Sequence, residues 1–232
     1  AERRHLTNLE IVTADVNEFS PDGTFDRLVS IEMFEHMKNY RQLLADIELH
    51  TSLATAAERQ TPTSVVFDLD PGEPADVLDC AGIALIIRDT LEETGLESFA
   101  KTSGSKGLQL YVPLNSGATY EQTRPFARSL ARAFESEMPH QVVSKMKKSL
   151  RKDKVFIDWS QNAEHKTTVC VYSMRAKSRP SVSTPLEWDE VEAALDAGDA
   201  SMLSLGPPEV LERVERHGDL FEPLLQLEQR LP

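Results

Sequence analysis

The stretch Val65-Val66-Phe67-Asp68-Leu69-Asp70-Pro71-Gly72 constrains this chain more than any other. Three consecutive apolar residues, two of them β-branched, call for a buried strand, and that strand runs straight into two carboxylates spaced two apart. On extended backbone this spacing turns both side chains to one face, so a sheet has to present the pair at a strand end. Such a pair can hold Mg²⁺ or Mn²⁺. A third carboxylate from another strand lets two hard cations sit about 3.5 to 4 Å apart, clamping the attacking and leaving oxygens of phosphoryl or nucleotidyl transfer. Asp158, which closes the apolar run Val155-Phe156-Ile157, is the candidate for that third ligand. Taken alone, Asp-x-Asp-Pro-Gly also reads as a solvated strand-to-turn transition.

Two further segments bear on the choice. Lys101-Thr102-Ser103-Gly104-Ser105-Lys106-Gly107 is a Ser/Gly-rich loop ahead of a strand. Its small residues let backbone amides approach an anion, its hydroxyls can donate to phosphate oxygens, and Lys106 adds positive charge. The Walker spacing is absent, and a plain hairpin loop is the alternative reading. The chain has a formal net charge of −13, which argues against wholesale nucleic-acid binding. Against that background Lys145, Lys147, Lys148, Arg151, Lys152 and Lys154 stand beside one acid, Asp153. The run is either a solvated face or, with Arg175 and Lys177, the positive rim of a triphosphate site.

The rest of the chain reads as alternating strands and helices. Strands are expected at residues 9–13, 25–31, 64–67, from 96 to 101, at 109–114, 154–159 and 167–172. Helices are expected at residues 33–49, 75–95 and 120–137, followed by three short carboxy-terminal ones at 188–195, 208–217 and 220–231. Cys80 and Cys170 lie in apolar runs with neither zinc nor Cys-x-x-Cys spacing, which predicts free thiols and a reducing cytoplasm. No uncharged apolar stretch of about twenty residues and no signal-peptide core is seen, so no membrane partner is expected.

In order along the chain stand Ile47-Glu48-Leu49-His50-Thr51, Val65 through Gly72, Lys101 through Leu108, Ser149-Leu150-Arg151-Lys152, Phe156-Ile157-Asp158-Trp159-Ser160-Gln161-Asn162 and Tyr172-Ser173-Met174-Arg175-Ala176. These blocks resemble the polymerase, or primase-like, domain of the bacterial end-joining ligase D, in the archaeo-eukaryotic primase superfamily, over about residues 47–225. The resemblance implies that Asp68, Asp70 and Asp158 bind catalytic Mg²⁺ or Mn²⁺. It implies that His50, Ser103, Lys106, Gln109, Arg151, Lys152 and Arg175 surround the incoming nucleoside triphosphate. Ribonucleotide preference, extension of DNA ends in double-strand break repair, and ligase and Ku-type partners follow from the same resemblance. Two departures stand out. Gln109 occupies the place of a histidine in the family's Ser-Gly-x-Lys-Gly-x-His pattern, and the basic and aromatic segment that grips a 5′-phosphorylated end is missing ahead of the Glu-Leu-His block.

In that place, Leu9 through Val16 and Phe25 through Met37 resemble class I S-adenosylmethionine methyltransferases of the cyclopropane-fatty-acid-synthase type. The cofactor's glycine-rich loop and the later strands of that fold are absent, so methyl transfer is not expected from it. The expected fold is therefore α+β. A primase-type, mostly antiparallel sheet with flanking helices occupies residues 47–232, and a βα methyltransferase-like appendage occupies residues 1–46. Three functional readings follow: metal-dependent nucleotidyl transfer, impaired by truncation; a non-catalytic nucleotide- or nucleic-acid-binding remnant; and methyl transfer. A haloacid-dehalogenase-type phosphatase also begins Phe-Asp-x-Asp, but it wants Gly-Thr or Gly-Val where Pro71-Gly72 stands.

Overall fold

A computed structural model describes residues 48–175 and 179–232. The strands expected at 9–13 and 25–31, most of the helix at 33–49, the methyltransferase-like segment and Lys177 lie outside the described residues. Glu48 and Leu49, which that helix was to include, are not helical.

The framework is a six-stranded sheet in the order β10-β3-β4-β2-β6-β5. Its strands are β2 (Ser64–Gly72), β3 (Phe99–Thr102), β4 (Leu108–Pro113), β5 (Val142–Val143), β6 (Lys154–Asp158) and β10 (Pro185–Leu186). Every pairing in it is antiparallel except β5 with β6. Two small ribbons accompany it, β1 (His50–Thr51) with β7 (Thr168–Val169) and β8 (Met174–Arg175) with β9 (Ser181–Val182). The helices are α1 (Val77–Glu93), α2 (Tyr120–Glu137), α3 (Trp188–Ala197) and α4 (Pro207–His217).

Strand periodicity assigns the two faces of the sheet. Val65, Phe67 and Leu69 of β2 join Leu108, Leu110 and Val112 of β4 and Val155 and Ile157 of β6 in one core beneath the helices. Each such side chain contributes about 1.5 to 3 kcal/mol when fully buried. The alternate residues point the other way, where Val66 and Tyr111 pack with Leu53 and Phe221 in a smaller cluster. Helix starts follow side-chain chemistry: Asp76 and Asp79 form a reciprocal capping box on α1, and Gln122 closes the start of α2 on the Thr119 amide. α1 ends before Gly95, whose φ of 80° the missing Cβ permits.

Three expectations need correcting. The acids do not sit at the end of β2. The strand continues through them to Gly72, because β6 pairs with residues 68–72 and holds the Asp-Leu-Asp-Pro-Gly segment extended. The strand expected at 167–172 shrinks to Thr168–Val169, since the chain turns at Tyr172, where φ is 62°. The helix expected at 220–231 is one 3₁₀ turn, Glu222–Leu225. Beyond it Gln229 donates to the carbonyls of Glu97 and Pro113 and accepts from the Glu97 amide, so the backbone is held along the sheet rather than coiled.

Asn162 substitutes for a strand. It is fully buried; its Oδ1 accepts from the Val66 amide at 2.9 Å and its Nδ2 donates to the Val66 carbonyl at 2.7 Å, where β6 no longer reaches β2. An Asn162→Ala variant leaves both backbone groups unpaired, at about 1 to 3 kcal/mol each. Urea unfolding is expected to shift its midpoint down by several kcal/mol equivalent with an unchanged slope.

Candidate active site

Four polar residues form a straight row across the face opposite the helices. Lys101 on β3 is paired in register with Gln109 on β4, Gln109 with Asp68 on β2, and Asp68 with Asp158 on β6. Directly paired residues of antiparallel strands project to the same face, so backbone register alone lines these side chains up. Asp70, two residues on from Asp68, joins the same face but is exposed. Lys101, Gln109 and Asp158 are only 1%, 3% and 8% exposed.

The row is tied together by amides. Gln109 Nε2 donates to Asp68 Oδ1 at 2.9 Å, and Gln161 Nε2 reaches both Asp158 Oδ2 at 3.0 Å and Asp68 Oδ2 at 3.4 Å. Asp158 Oδ1 accepts from the Ser160 amide and hydroxyl, which fixes its rotamer as the chain leaves β6. Burial first, then the facing charges of Asp70 and Asp158, push the Asp68 carboxyl from its ordinary 3.8 to about 7. Asp70 is raised as well, by burial and then by Asp158, against the pull of Arg151. Burial likewise lowers Lys101 to about 7, although Asp68 opposes the shift. Its ammonium donates to Ser183 Oγ at 2.5 Å and sits 5.7 Å from the centroid of the Tyr111 ring.

Around the row the basic residues fall into two groups. Arg151 lies over the Phe156 ring at 3.7 Å, donates to the Met146 carbonyl and stands 4.0 Å from Asp70 Oδ2. Its Nε is a buried donor without an acceptor. Lys106, at the tip of the β3–β4 loop, pairs with Glu73 at 2.7 Å. The second group gathers on Glu48, which takes Arg175 Nε at 3.0 Å and has His50 Nε2 at 3.7 Å, while Arg175 Nη1 donates to the Ser103 carbonyl. Lys152 is exposed and belongs to neither group. In the loop itself, Ser103 Oγ accepts from the amides of Ser105 and Gly107, and the Ser103 amide donates to the Gly107 carbonyl. Gly107 passes so close to β2 that a Cβ there would lie 2.0 Å from the Leu69 carbonyl oxygen.

Asp68 and Asp158 thus meet, with Asp70 beside them. Among the described residues, however, no three His, Cys, Asp or Glu side chains are gathered closely enough to hold a metal ion. The reason is visible in the contacts: Gln109 and Gln161 occupy the oxygens of Asp68, and Asp70 lies towards Arg151. The donor set nonetheless suits a hard cation, being all oxygen and crowding like charges around a half-buried carboxylate. One member of the row, Lys101, and one residue that ties it together, Gln161, escaped the sequence reading. A lysine inside a Ser/Gly-rich segment reads as exposed, so nothing local marked Lys101 as buried. Gln161 follows Asp158 by three residues, the spacing at which one 3₁₀ turn stacks side chains, and that signal could have found it.

The model of the LigD primase-polymerase domain family matches residues 5–221 of this chain. The chain belongs to that family. The LigD non-homologous end joining DNA repair protein of Mycobacterium tuberculosis strain H37Rv is 44% identical over 162 residues, which cover 70% of this chain and 21% of that protein. The chain thus spans about a fifth to a third of the length of the LigD proteins it matches. Among solved structures, the polymerase domain of Mycobacterium tuberculosis ligase D in complex with DNA aligns at 43% identity with a TM-score of 0.65, covering 71% of this chain and 55% of that one. The mixed fold with a mostly antiparallel sheet is accordingly that of a LigD polymerase domain. A 46-residue stretch, 20% of this chain, is also 44% identical to the (S)-coclaurine N-methyltransferase of Thalictrum flavum, of which it covers 13%. Among the described residues no helix is long and apolar enough to cross a membrane.

Proposed function

We propose that this chain carries out metal-dependent nucleotidyl transfer to a DNA 3′ end, as a repair polymerase of the end-joining class. The observation that carries this reading is the register pairing of Asp68 with Asp158, with Asp70 on the same face and Arg151 beside it. Asp68, Asp70 and Asp158 would hold Mg²⁺ or Mn²⁺, which when bound supplies charge neutralisation at the attacking and leaving oxygens. In this reading Arg151, with its unsatisfied Nε–H, and Lys106 each exchange a single carboxylate partner, Asp70 and Glu73, for the triphosphate, while Arg151 keeps the Met146 carbonyl and the Phe156 ring. Ser103, Arg175 and His50 form the second wall, Lys152 lies further out, and Gln109 and Gln161 orient the acids. Preference for ribonucleotides, DNA ends as substrate, ligase and Ku-type partners, and a cytoplasmic place of work belong to the same proposal. So does a junction near residues 45–47 between a methyltransferase-like segment and the polymerase domain.

The test is Mn²⁺-dependent extension of a gapped, 5′-phosphorylated DNA with ribonucleotides, beside an Asp68→Ala, Asp70→Ala double variant. Extension that stops in the double variant is expected. Extension that persists there removes these acids from the chemistry.

The hydrogen bonds from Gln109 and Gln161 to Asp68 favour one second reading, a domain that binds nucleotide or nucleic acid without catalysis. Calorimetric nucleotide binding without any extension would establish it. Gln109 also predicts a weakened site, because an amide can donate to a phosphate or a carboxylate but never becomes cationic. Gln109→His is expected to tighten Mn²⁺-dependent binding of a ribonucleoside triphosphate by several-fold in calorimetry. An unchanged affinity would remove Gln109 from the nucleotide's surroundings.

A further inference from the structure

The chain has 38 acidic and 25 basic residues, so a cation without a carboxylate needs a reason. Arg88, Arg175 and Arg213 each have one. Arg124, Arg128 and Arg132 have none among the described residues, and all three are exposed. They recur every four residues along α2, beside the face that buries Thr123, Ala127 and Ala131, and so line one flank of the helix. Each step rises about 6 Å along the helix axis. That is comparable to the separation of successive phosphates along a nucleic-acid strand.

A second observation joins this flank to the candidate active site. The guanidinium carbons of Arg124 and Arg128 lie 5.6 and 5.1 Å from the centroid of the Trp159 ring, and Trp159 directly follows Asp158. The indole Nε1 donates to the Ser144 carbonyl at 3.0 Å. From Ser144 the chain runs through Lys145, Lys147 and Lys148, all exposed, to Arg151 beside Asp70. Trp159 therefore couples the α2 arginines to the basic segment, making one cationic track that ends at the row of acids. With two guanidiniums at its ring, Trp159 fixes their position instead of offering a free face for a base to stack on.

We infer that the flank Arg124, Arg128, Arg132, continued by Lys147 and Lys148, is a track for the sugar-phosphate backbone of DNA, held without regard to sequence. That the occupant is DNA rests on the polymerase reading. The contact is electrostatic: phosphates replace counterions, so affinity falls with salt in proportion to the number of contacts.

The test measures fluorescence anisotropy of a labelled gapped DNA against the full 232-residue chain across a KCl series. Four proteins are compared: the parent, Arg124→Gln/Arg128→Gln/Arg132→Gln, Lys147→Gln/Lys148→Gln, and a control with the same charge change as the arginine variant, Arg59→Gln/Arg216→Gln/Arg230→Gln. The track variant is expected to lower the log–log salt slope by roughly two to three, at 0.7 to 0.9 per lost phosphate contact. Its affinity should fall equally for unrelated sequences, while the control keeps the parent's slope. Lys147→Gln/Lys148→Gln, which removes no contact to Trp159, should lower the slope by roughly one to two, so any folding defect of the arginine variant is separated from the effect. The inference is overturned if both track variants keep the parent slope, if the control loses as much, or if the parent shows no salt-dependent DNA binding. Mn²⁺-dependent extension of the gapped DNA by the parent chain at low salt, lost in Asp68→Ala, Asp70→Ala, judges the polymerase reading separately.

Discussion

An Asp68→Asn variant is expected to lose nucleotide addition by at least about a thousandfold while unfolding at a higher temperature than the parent at pH 7. The two effects share a cause. Asp68 is half-buried, faces Asp70 and Asp158, and holds its carboxyl near pH 7 instead of 3.8. A carboxyl whose folded value is raised contributes stability below its unfolded value, and that contribution drains away as pH rises towards about 7. Lys101 works in the opposite window. Its folded value, lowered from 10.5 to about 7, costs stability that is regained only as pH climbs back towards the ordinary lysine range. The parent should therefore show a shallow stability minimum around neutrality, of the order of a few kcal/mol, and Asp68→Asn should flatten its acid side. Thermal melts from pH 4 to 10 with and without Mn²⁺ read this directly. Asn keeps the shape of Asp68 and the acceptor for Gln109, so a variant that melts lower at pH 7 would contradict the strain assigned to this carboxylate.

The second large effect is steric. Gly107→Ala would set a methyl 2.0 Å from the Leu69 carbonyl oxygen, and Gly72→Ala would set one 1.8 Å from the Arg151 carbonyl oxygen. Neither neighbour is a flexible side chain; each belongs to backbone held by the sheet or by the turn after Arg151. Each substitution should cost about 3 kcal/mol or more. At this chain length that lowers the melting temperature by roughly 6 to 12 °C. Gly82→Ala, where a Cβ would meet nothing within 4 Å, serves as the comparison and should be neutral or stabilising. Equal melting temperatures for all three would refute the close approaches at both glycines.

The helices α1 and α2 were legible because their signals are local. Asp76 with Asp79 and Thr119 with Gln122 announce the starts of α1 and α2, and the apolar period carries each to its end. That Asp68 and Asp70 share one face was legible because a period of two is unambiguous on a strand, and the register of β2 with β6 brings Asp158 to the same face. What stayed hidden depends on partners distant in sequence. Asp, Pro and Gly at 70–72 carry every local mark of a turn, and only pairing with Val155 and Lys154 keeps them extended. Lys101 is buried because β4 and β10 close on β3 from both sides, a fact no window around residue 101 contains. The amide held between Asp68 and Asp158 depends likewise on the turn geometry after β6.

β2 alternates core residues with site residues and is paired on both edges, to β4 and to β6. The amides of residues 65–69 should then be among the slowest in the chain to exchange with deuterium, opening only when the whole domain unfolds. The acids consequently cannot be uncovered or withdrawn by fraying on the microsecond-to-millisecond scale. Any motion that admits a substrate or releases a product has to belong to the parts around that strand, the loop from Ser103 to Gly107 and the basic segment leading to Arg151.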